Sequence, residues 1–387
     1  MEFDTIILGA GSMGAAAAYS LISSAATSPP ARVLALDRFA PPHAMGSHHG
    51  VVRMFRLSYF EHPAYVPWLR RALAAWKQMG CAYGQPLIHM TGALYMGRPD
   101  SELIAGCLRA IRAHGLPHDQ LSHAELKARF PEFDVPSDFV GLVDHEAGYM
   151  HCERAIRAML ALSGPPQREG SSLSLQVNEP AIGWTSDQRS VTVNTAGATY
   201  TARNLVITAG PWAAQMLGDL GLALTVTRQV QGWLSTNETS HARLPCWAID
   251  PGDGTLFYGF PALASPAGGL ELKCARHARG AATTPGTVER DTTPDDAEDF
   301  MPLVRRYLPG LAGARCRTGV CLYTNSPDSH YIIDRHPEYR NVAFAAGFSG
   351  HGFKAAPAVG EILRSLVTDS ESPHPEPFFS LARLARN

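Results

Sequence analysis

Thr5-Ile6-Ile7-Leu8-Gly9-Ala10-Gly11-Ser12-Met13-Gly14-Ala15-Ala16-Ala17-Ala18-Tyr19-Ser20-Leu21 is the stretch on which the reading of this 387-residue chain turns. The first four residues form a short apolar β run, and the alanines after Gly14 are the best helix formers. Between them lie six residues with glycine at the first, third and sixth places. A dinucleotide site needs that spacing for physical reasons. Gly9 permits a tight turn out of the strand, Gly11 lets the backbone approach a pyrophosphate, and Gly14 lets the helix lie close on the strand. The helix N-terminus at Ser12 and Met13 then offers free N–H groups and a positive dipole end to the phosphates. The plainer alternative is a glycine-rich turn before an alanine-rich helix.

The next segment weighs against that alternative. Arg32-Val33-Leu34-Ala35-Leu36 reads as a second strand and ends in Asp37, 23 positions after Gly14. A ribose-binding carboxylate belongs at about that distance. The connection from Ser23 to Pro30 is loop chemistry. Strand, glycine loop, helix, strand and acid in register predict an α/β, Rossmann-like nucleotide-binding fold. The fingerprint does not choose between FAD and NAD.

Composition narrows the classes. Hydrophobic residues make up 45% and charged residues 18% of the chain, within the globular range, and the length suggests two or three domains. A net charge of -2 provides no broad basic field for nucleic acid or an anionic membrane. No apolar run approaches the roughly 20 residues of a membrane span. Met1-Glu2-Phe3-Asp4 is not a signal-peptide start, and the last three residues are not Ser-Lys-Leu, so the cytoplasm is the expected compartment. Seven cysteines without a Cys-x-x-Cys pair argue against a disulfide framework or a zinc ribbon. His48-His49 has no third ligand at a familiar spacing, so no metal is expected.

Further along, residues 65–79 have helical periodicity, with Leu69, Leu73 and Trp76 on one face. Helices are also expected at 102–114, 124–130 and 152–162. Residues 88–96 and 173–177 read as β runs. The run 202–210 reads as a buried strand ending in Gly210, before Pro211-Trp212, where glycine permits close backbone approach. Strands dominate 225–320, at 226–234, 255–260 and 270–274. In the last, Lys273 shares a face with Glu271 and Ala275 while Leu272 and Cys274 point the other way; a strand-edge lysine is the plainer reading of that position. The final unit is a strand at 341–346, the loop Gly347-Phe348-Ser349-Gly350-His351-Gly352-Phe353-Lys354, and a helix at 355–367 that tolerates Pro357 in its first turn. The nucleotide fold thus opens at one terminus and closes at the other. Residues 1–85, 141–220 and 320–387 are expected to form the cofactor-binding domain, and 86–140 with 221–319 a β-rich α+β substrate domain. Such interleaving favours a flavin oxidase over a nicotinamide dehydrogenase.

Several motifs together resemble the monomeric sarcosine oxidase and N-methyltryptophan oxidase family. They are Gly9 to Gly14, Pro41-Pro42-His43, Gly46-Ser47-His48-His49-Gly50, Arg53-x-x-Arg56, Tyr65-Val66-Pro67, Tyr258-Gly259-Phe260-Pro261, Val320-Cys321-Leu322-Tyr323-Thr324 and the 347–354 loop. The resemblance runs from about residue 3 to about 380. It implies a two-domain monomer holding FAD covalently through a cysteine thioether, and oxidation of secondary or N-methyl amino acids to imines as O2 becomes H2O2. The matching positions put the flavin-linked cysteine at Cys321, substrate-carboxylate contacts at Arg56 and Lys354, and the oxygen-activating lysine at Lys273. Arg53, Tyr258, His277, Tyr323 and His351 are implied to line the flavin or substrate cavity. Ser47, His48, Gly210, Trp212, Gly347, Gly350, Gly352 and Phe353 fall to the cofactor, and Val177 to its adenine end.

Two departures bear on the substrate. Val51-Val52 stands where the family often carries Asp-Thr. The entrance segment is Glu61-His62-Pro63-Ala64, in which proline fixes φ. Arg56 and Lys354 sit among apolar neighbours rather than in a charged surface run, and a planar guanidinium with a point-charge ammonium suits a carboxylate. The competing classes are a dehydrogenase of the same fold that feeds an electron carrier, a non-catalytic flavin-binding protein, and an NAD-dependent dehydrogenase.

Overall fold

The computed structural model describes residues 2–23, 31–164, 170–278, 280–368 and 377–386. The expected loop between Ser23 and Pro30 falls mostly outside them. Within them two large sheets carry the molecule. The first has a parallel centre. Strand Phe3–Leu8 lies between Arg32–Leu36 and Thr199–Ile207, Ser172–Gln176 flanks Arg32–Leu36, and Val342–Ala346 pairs with the end of Thr199–Ile207. Ile6, Ile7, Val33, Leu34, Leu205 and Val206 are fully buried. That matches their near-continuous apolar runs, because a parallel sheet is covered on both faces. An antiparallel flap, Ala181–Ser186 and Val191–Thr195, extends the early part of Thr199–Ile207, and Ile332–Arg335 closes the other side through Val342–Ala346. Helices Ser12–Ser23 and Ala356–Thr368 pack on each other, so sequence-distant ends build one layer.

Gly14 shows why the opening motif admits no larger residue. A Cβ there would lie 1.8 Å from the Gly9 carbonyl oxygen and 2.8 Å from Thr208 Oγ1. The helix can approach the strand only because that atom is missing.

The second sheet has nine strands. Its long strand Thr225–Thr236 pairs with Cys316–Asn325 on one side and with Leu270–His277 on the other. The order then continues through Leu256–Ala264, Cys246–Ile249, Ala93–Gly97, Val140–Asp144 and His118–Leu121. Leu272 and Cys274 face a core built around Phe300, Val304 and Tyr307, and Lys273 faces the opposite way, as strand alternation requires. Lys273 is flanked by strands on both sides and is 2% exposed, which rules out the strand-edge reading. A three-stranded sheet of Val52–Phe55, Gly148–His151 and Ile88–His89 carries Arg53.

Two local expectations need correction. The run 88–96 is not one strand. It breaks at Gly92, with φ +72°, into Ile88–His89 in the small sheet and Ala93–Gly97 in the large one. The last helix begins later than expected, after a 3-10 turn at Phe353–Ala355. Strands Val140–Asp144 and Cys316–Asn325 straddle two of the expected domain boundaries, and both belong to the nine-stranded sheet.

Candidate active site

Strand ends and glycine loops of the first sheet converge on an elongated cavity. It encloses about 1240 Å3 of empty space, part of it open to solvent. Gly9, Gly11, Ser12 and Met13 line one end with Asp37, and Gly210 and Trp212 form a wall. Ser47, His48, Gly347, Gly350, Gly352 and Phe353 line the rest together with Arg53 and Tyr323. Asp37 accepts from the backbone N–H groups of Ala10 at 2.7 Å and Phe39 at 2.8 Å. Those bonds hold the carboxylate across the strand ends. His48 Nε2 accepts from the His43 N–H at 3.1 Å, which places the ring proton on Nδ1, the nitrogen nearest Gly11. Burial, with His43 and His49 nearby, pulls its pKa down to about 3, so the ring is neutral.

These residues fit FAD. The glycine floor leaves room for a pyrophosphate against the helix N-terminus, and Asp37 stands where a ribose carboxylate belongs. Thr324 lines the same cavity, and its buried hydroxyl has no partner among the described residues. Gly350 is required for a second reason: a Cβ there would fall 2.3 Å from the Tyr323 ring.

A second chamber of about 660 Å3 adjoins the first and shares Arg53, Tyr323, Gly350 and Phe353 with it. Arg56, Tyr258, His277, His351 and Lys354 all line it, so the sequence-named substrate residues are brought together. Arg53 is a structural hub. It donates to the carbonyls of Ser47, His49 and Val52 and to Gln231 Oε1, at 2.7–3.2 Å, and so fixes the Gly46–Gly50 loop. His277 Nδ1 lies 3.2 Å from the Tyr323 hydroxyl. Burial, aided by Arg56 and Lys354, lowers its pKa to about 4, so His277 is neutral. His351 Nε2 faces the Ser329 carbonyl at 2.9 Å, which only accepts, so Nε2 carries the proton and Nδ1 accepts from Tyr59 at 2.6 Å.

Glu61 lines the chamber but was not named among the site residues from the sequence. It was expected in an entrance segment, yet its carboxylate points into the chamber and pairs with Arg56 at 2.6 Å. Burial raises the Glu61 pKa, but Arg56, His351 and Lys354 more than offset this and bring it down to about 2. Its second oxygen is buried without a partner. The backbone that follows is tied down, with His62 stacked on Phe378 and the Pro63 carbonyl accepting from His114. Lys354 donates to the His351 carbonyl at 2.7 Å and lies 3.5 Å from the Tyr59 hydroxyl. Burial, Arg56 and Arg53 lower its pKa to about 7.

Four of the sequence-named residues lie elsewhere than the cavity walls, the first being Gly14, which packs the helix against the Gly9 carbonyl. Val177 lines neither cavity, although Pro180 and Ala181 nearby do. Lys273 sits behind the Gly50–Val52 backbone, donating to the carbonyls of Gly50 at 2.6 Å and Val52 at 2.8 Å. Cys321 is 2% exposed, on the strand face shared with the cavity-lining Tyr323. Cys316, an odd number of residues away, faces the other core.

A parallel sheet with a glycine-floored cavity, joined to a second chamber of mixed charge that is partly open to solvent, is the architecture of a dinucleotide-dependent oxidoreductase. Residues 4–366 match the FAD dependent oxidoreductase family, and the chain belongs to it, within its sarcosine and N-methyltryptophan oxidase branch. It is 37% identical to monomeric sarcosine oxidase of Streptomyces avermitilis, over 99% of this chain and 98% of that protein. It is 32% identical to N-methyl-L-tryptophan oxidase of Yersinia pseudotuberculosis, over 99% of this chain and all of that protein. The solved structure of NikD, an amino acid oxidase of nikkomycin biosynthesis, superposes with a TM-score of 0.81 at 21% identity, covering 98% of this chain and 97% of that one. The protein is an FAD-dependent amine oxidoreductase. No helix among the described residues is long and apolar enough to cross a membrane.

Proposed function

We propose that the enzyme oxidises secondary amino acids to imines and passes the electrons to O2, with FAD carried on Cys321. The observation that supports this most is that Arg56 and Lys354, 6% and 5% exposed, both line the chamber that adjoins the cofactor cavity. Glu61 pairs with Arg56, but among the described residues no carboxylate pairs with Lys354. A buried ammonium without a counter-ion is costly, and a substrate carboxylate supplies one. Bound FAD supplies the two-electron oxidant. The chain's part is to hold the carboxylate and orient the amine towards the shared wall of Arg53, Tyr323, Gly350 and Phe353. Three neighbouring cations also disfavour an ammonium there, which keeps the substrate amine neutral. The test compares an N-methyl amino acid with its amide. The acid should be oxidised with a kcat/KM about a hundredfold or more above the amide's, and equal values would remove the carboxylate from the account.

Cys321 is the favoured attachment point because the family resemblance puts the flavin-linked cysteine there and the next three residues of its strand, Leu322, Tyr323 and Thr324, line the cofactor cavity, whereas Cys316 lies five residues back and packs on the other core. Burial raises the Cys321 pKa, and Arg53 and Lys273 act against that rise, so the positive charge a reactive thiolate needs is close at hand. Acid precipitation of the purified protein is expected to leave a yellow pellet, and Cys321→Ser to release the colour into the supernatant. Release by Cys316→Ser instead would move the attachment site.

The state of Lys354 predicts a pH dependence. Its ammonium is present below about pH 7 and is lost above it. A simple carboxylate without an amine, followed by its perturbation of the flavin spectrum, should therefore bind well at pH 6. Its Kd should rise by up to about tenfold per pH unit above 7. In Lys354→Met the Kd should be weak and nearly flat over that range. An unchanged alkaline limb in the variant would assign the titration to another group.

A further inference from the structure

The turn that leads from the cofactor-side loop into the strand of Arg53 is strained. Val51 has φ +70°, a left-handed value that a β-branched side chain rarely adopts. The Val52 N–H donates to the Gly50 carbonyl at 2.8 Å, so Val51 is the centre of a γ-turn of the rare, strained hand. Ser47 and His48 before the turn line the cofactor cavity, and Arg53 after it lines both cavities. Such strain persists only where the surroundings over-determine the backbone, and here charged groups do so. Glu153, in the first turn of helix Cys152–Ala161, accepts from the N–H groups of Gly50 at 2.8 Å and Val51 at 3.2 Å through one carboxylate oxygen. Two peptide groups connect that oxygen to two cations. The Val51 N–H and the Gly50 carbonyl belong to one trans peptide, and Lys273 donates to that carbonyl at 2.6 Å. The Gly50 N–H and the His49 carbonyl belong to the peptide before it, and Arg53 donates to that carbonyl at 2.7 Å. Hydrogen bonds arranged in series polarise one another.

We propose that Glu153 is a positioning residue that acts, through these two peptides, as the shared counter-ion of Lys273 and Arg53, fixing the strained turn and holding the Lys273 ammonium against it. The other groups that face Lys273 do not supply a negative charge. Arg53 is a like charge, burial lowers the His49 pKa to about 4, and burial raises the thiols of Cys152 and Cys321 so that they stay neutral. Burial raises the Glu153 pKa too, but the N–H groups of Val51, Glu153 and Gly50, and then Arg53, bring it below the usual carboxylate range. His48 and His151, which also face Glu153, are kept neutral by burial. Without the carboxylate charge, Lys273 would keep a cation beside it and no anion behind the turn, and would lose its proton at lower pH. The proposal rests on the amine-oxidase reading above only for its kinetic consequence.

The chain has four lysines, Lys77, Lys127, Lys273 and Lys354, so NMR titration of holoenzyme made with isotope-labelled lysine follows Lys273 directly, and Lys273→Met assigns its signal. In Glu153→Gln the amide oxygen still accepts from the turn, but the charge is gone. The Lys273 midpoint should then fall by about one pH unit, while the other three signals keep their wild-type midpoints. An unchanged Lys273 midpoint overturns the proposal. So does an equal fall at Lys354, which would report a general loosening of the site. Glu153→Ala removes the hydrogen bonds as well and should also lower the melting temperature. Adding Val51→Gly, which adopts a positive φ without strain, should recover part of that loss and leave the Lys273 midpoint low. A midpoint restored together with the fold would reduce Glu153 to a cap on the turn and overturn the counter-ion role. Stopped-flow reoxidation of reduced Glu153→Gln by O2 should lose its rate at a pH about one unit lower than in the wild type. If the midpoint falls and the reoxidation profile does not follow, the counter-ion role stands and the oxygen chemistry of Lys273 falls.

Discussion

Replacing Lys273 by methionine should slow reoxidation of the substrate-reduced enzyme by O2 about a hundredfold or more, while anaerobic reduction by the amino acid slows only modestly. The electron that O2 first accepts makes it a small anion in a site that excludes water, and a fixed ammonium nearby stabilises that charge far better than solvent would. The surroundings of Lys273 support such a role. Its ammonium is held by the Gly50 and Val52 carbonyls, which engage two of its three N–H donors. Burial, then Arg53, push its pKa well below the usual lysine range, and among the described residues no carboxylate pairs with it. A loss of about 2.7 kcal/mol of transition-state stabilisation corresponds to the hundredfold effect. Arginine is a poor substitute because its charge spreads over a wide plane. Stopped-flow measurement of the two half-reactions decides the matter. Equal slowing of both would make Lys273 a support for the Gly50–Val52 backbone. Oxygen reactivity would then rest with Arg53 or His277, or the physiological acceptor would be an electron carrier.

Arg56→Met is expected to raise KM for the amino acid tenfold to several hundredfold, roughly the loss of 1.5–3 kcal/mol of charge-assisted hydrogen bonding. The geometry adds a second cause. Arg56 is the partner that keeps the buried Glu61 carboxylate ionised. Without it, Glu61 is left to turn to Lys354, whose charge already acts on it, and to compete with the substrate for the remaining cation. Breaking a buried pair from one side commonly costs about 3–5 kcal/mol, so the thermal stability of Arg56→Met should fall as well. Glu61→Gln separates the two causes. It removes the internal anion that occupies Arg56, and KM should fall a few-fold instead of rising. A variant at Arg56 that discriminates between the acid and its amide in the wild-type ratio would count against the clamp.

The parts of this enzyme that were legible in its sequence are those set by local periodicity. Strand, glycine turn and helix from Thr5 to Leu21 are consecutive, so steric and dipole arguments place Gly9, Gly11 and Gly14 without knowledge of the rest. The two-residue alternation of strands likewise separates Lys273 from Leu272 and Cys274. What was not legible depends on long-range closure. Tyr59, Tyr331 and His351 form one hydrogen-bonded group, though 272 and 292 positions separate Tyr59 from its two partners. Glu61 looked like part of a charged entrance segment because nothing nearby shows that its carboxylate turns inward to Arg56. The split of residues 88–96 had a visible signal in Gly92, which the continuous β pattern around it outweighed.

The most direct test of the central claim is anaerobic titration of the purified protein with secondary amino acids, followed by admission of air. Substrate should bleach the oxidised-flavin band near about 450 nm, and air should restore it with one H2O2 released per amine oxidised. A flavin band that stays unchanged with every secondary amino acid, or one that bleaches but is restored only by an added electron carrier, would contradict the account.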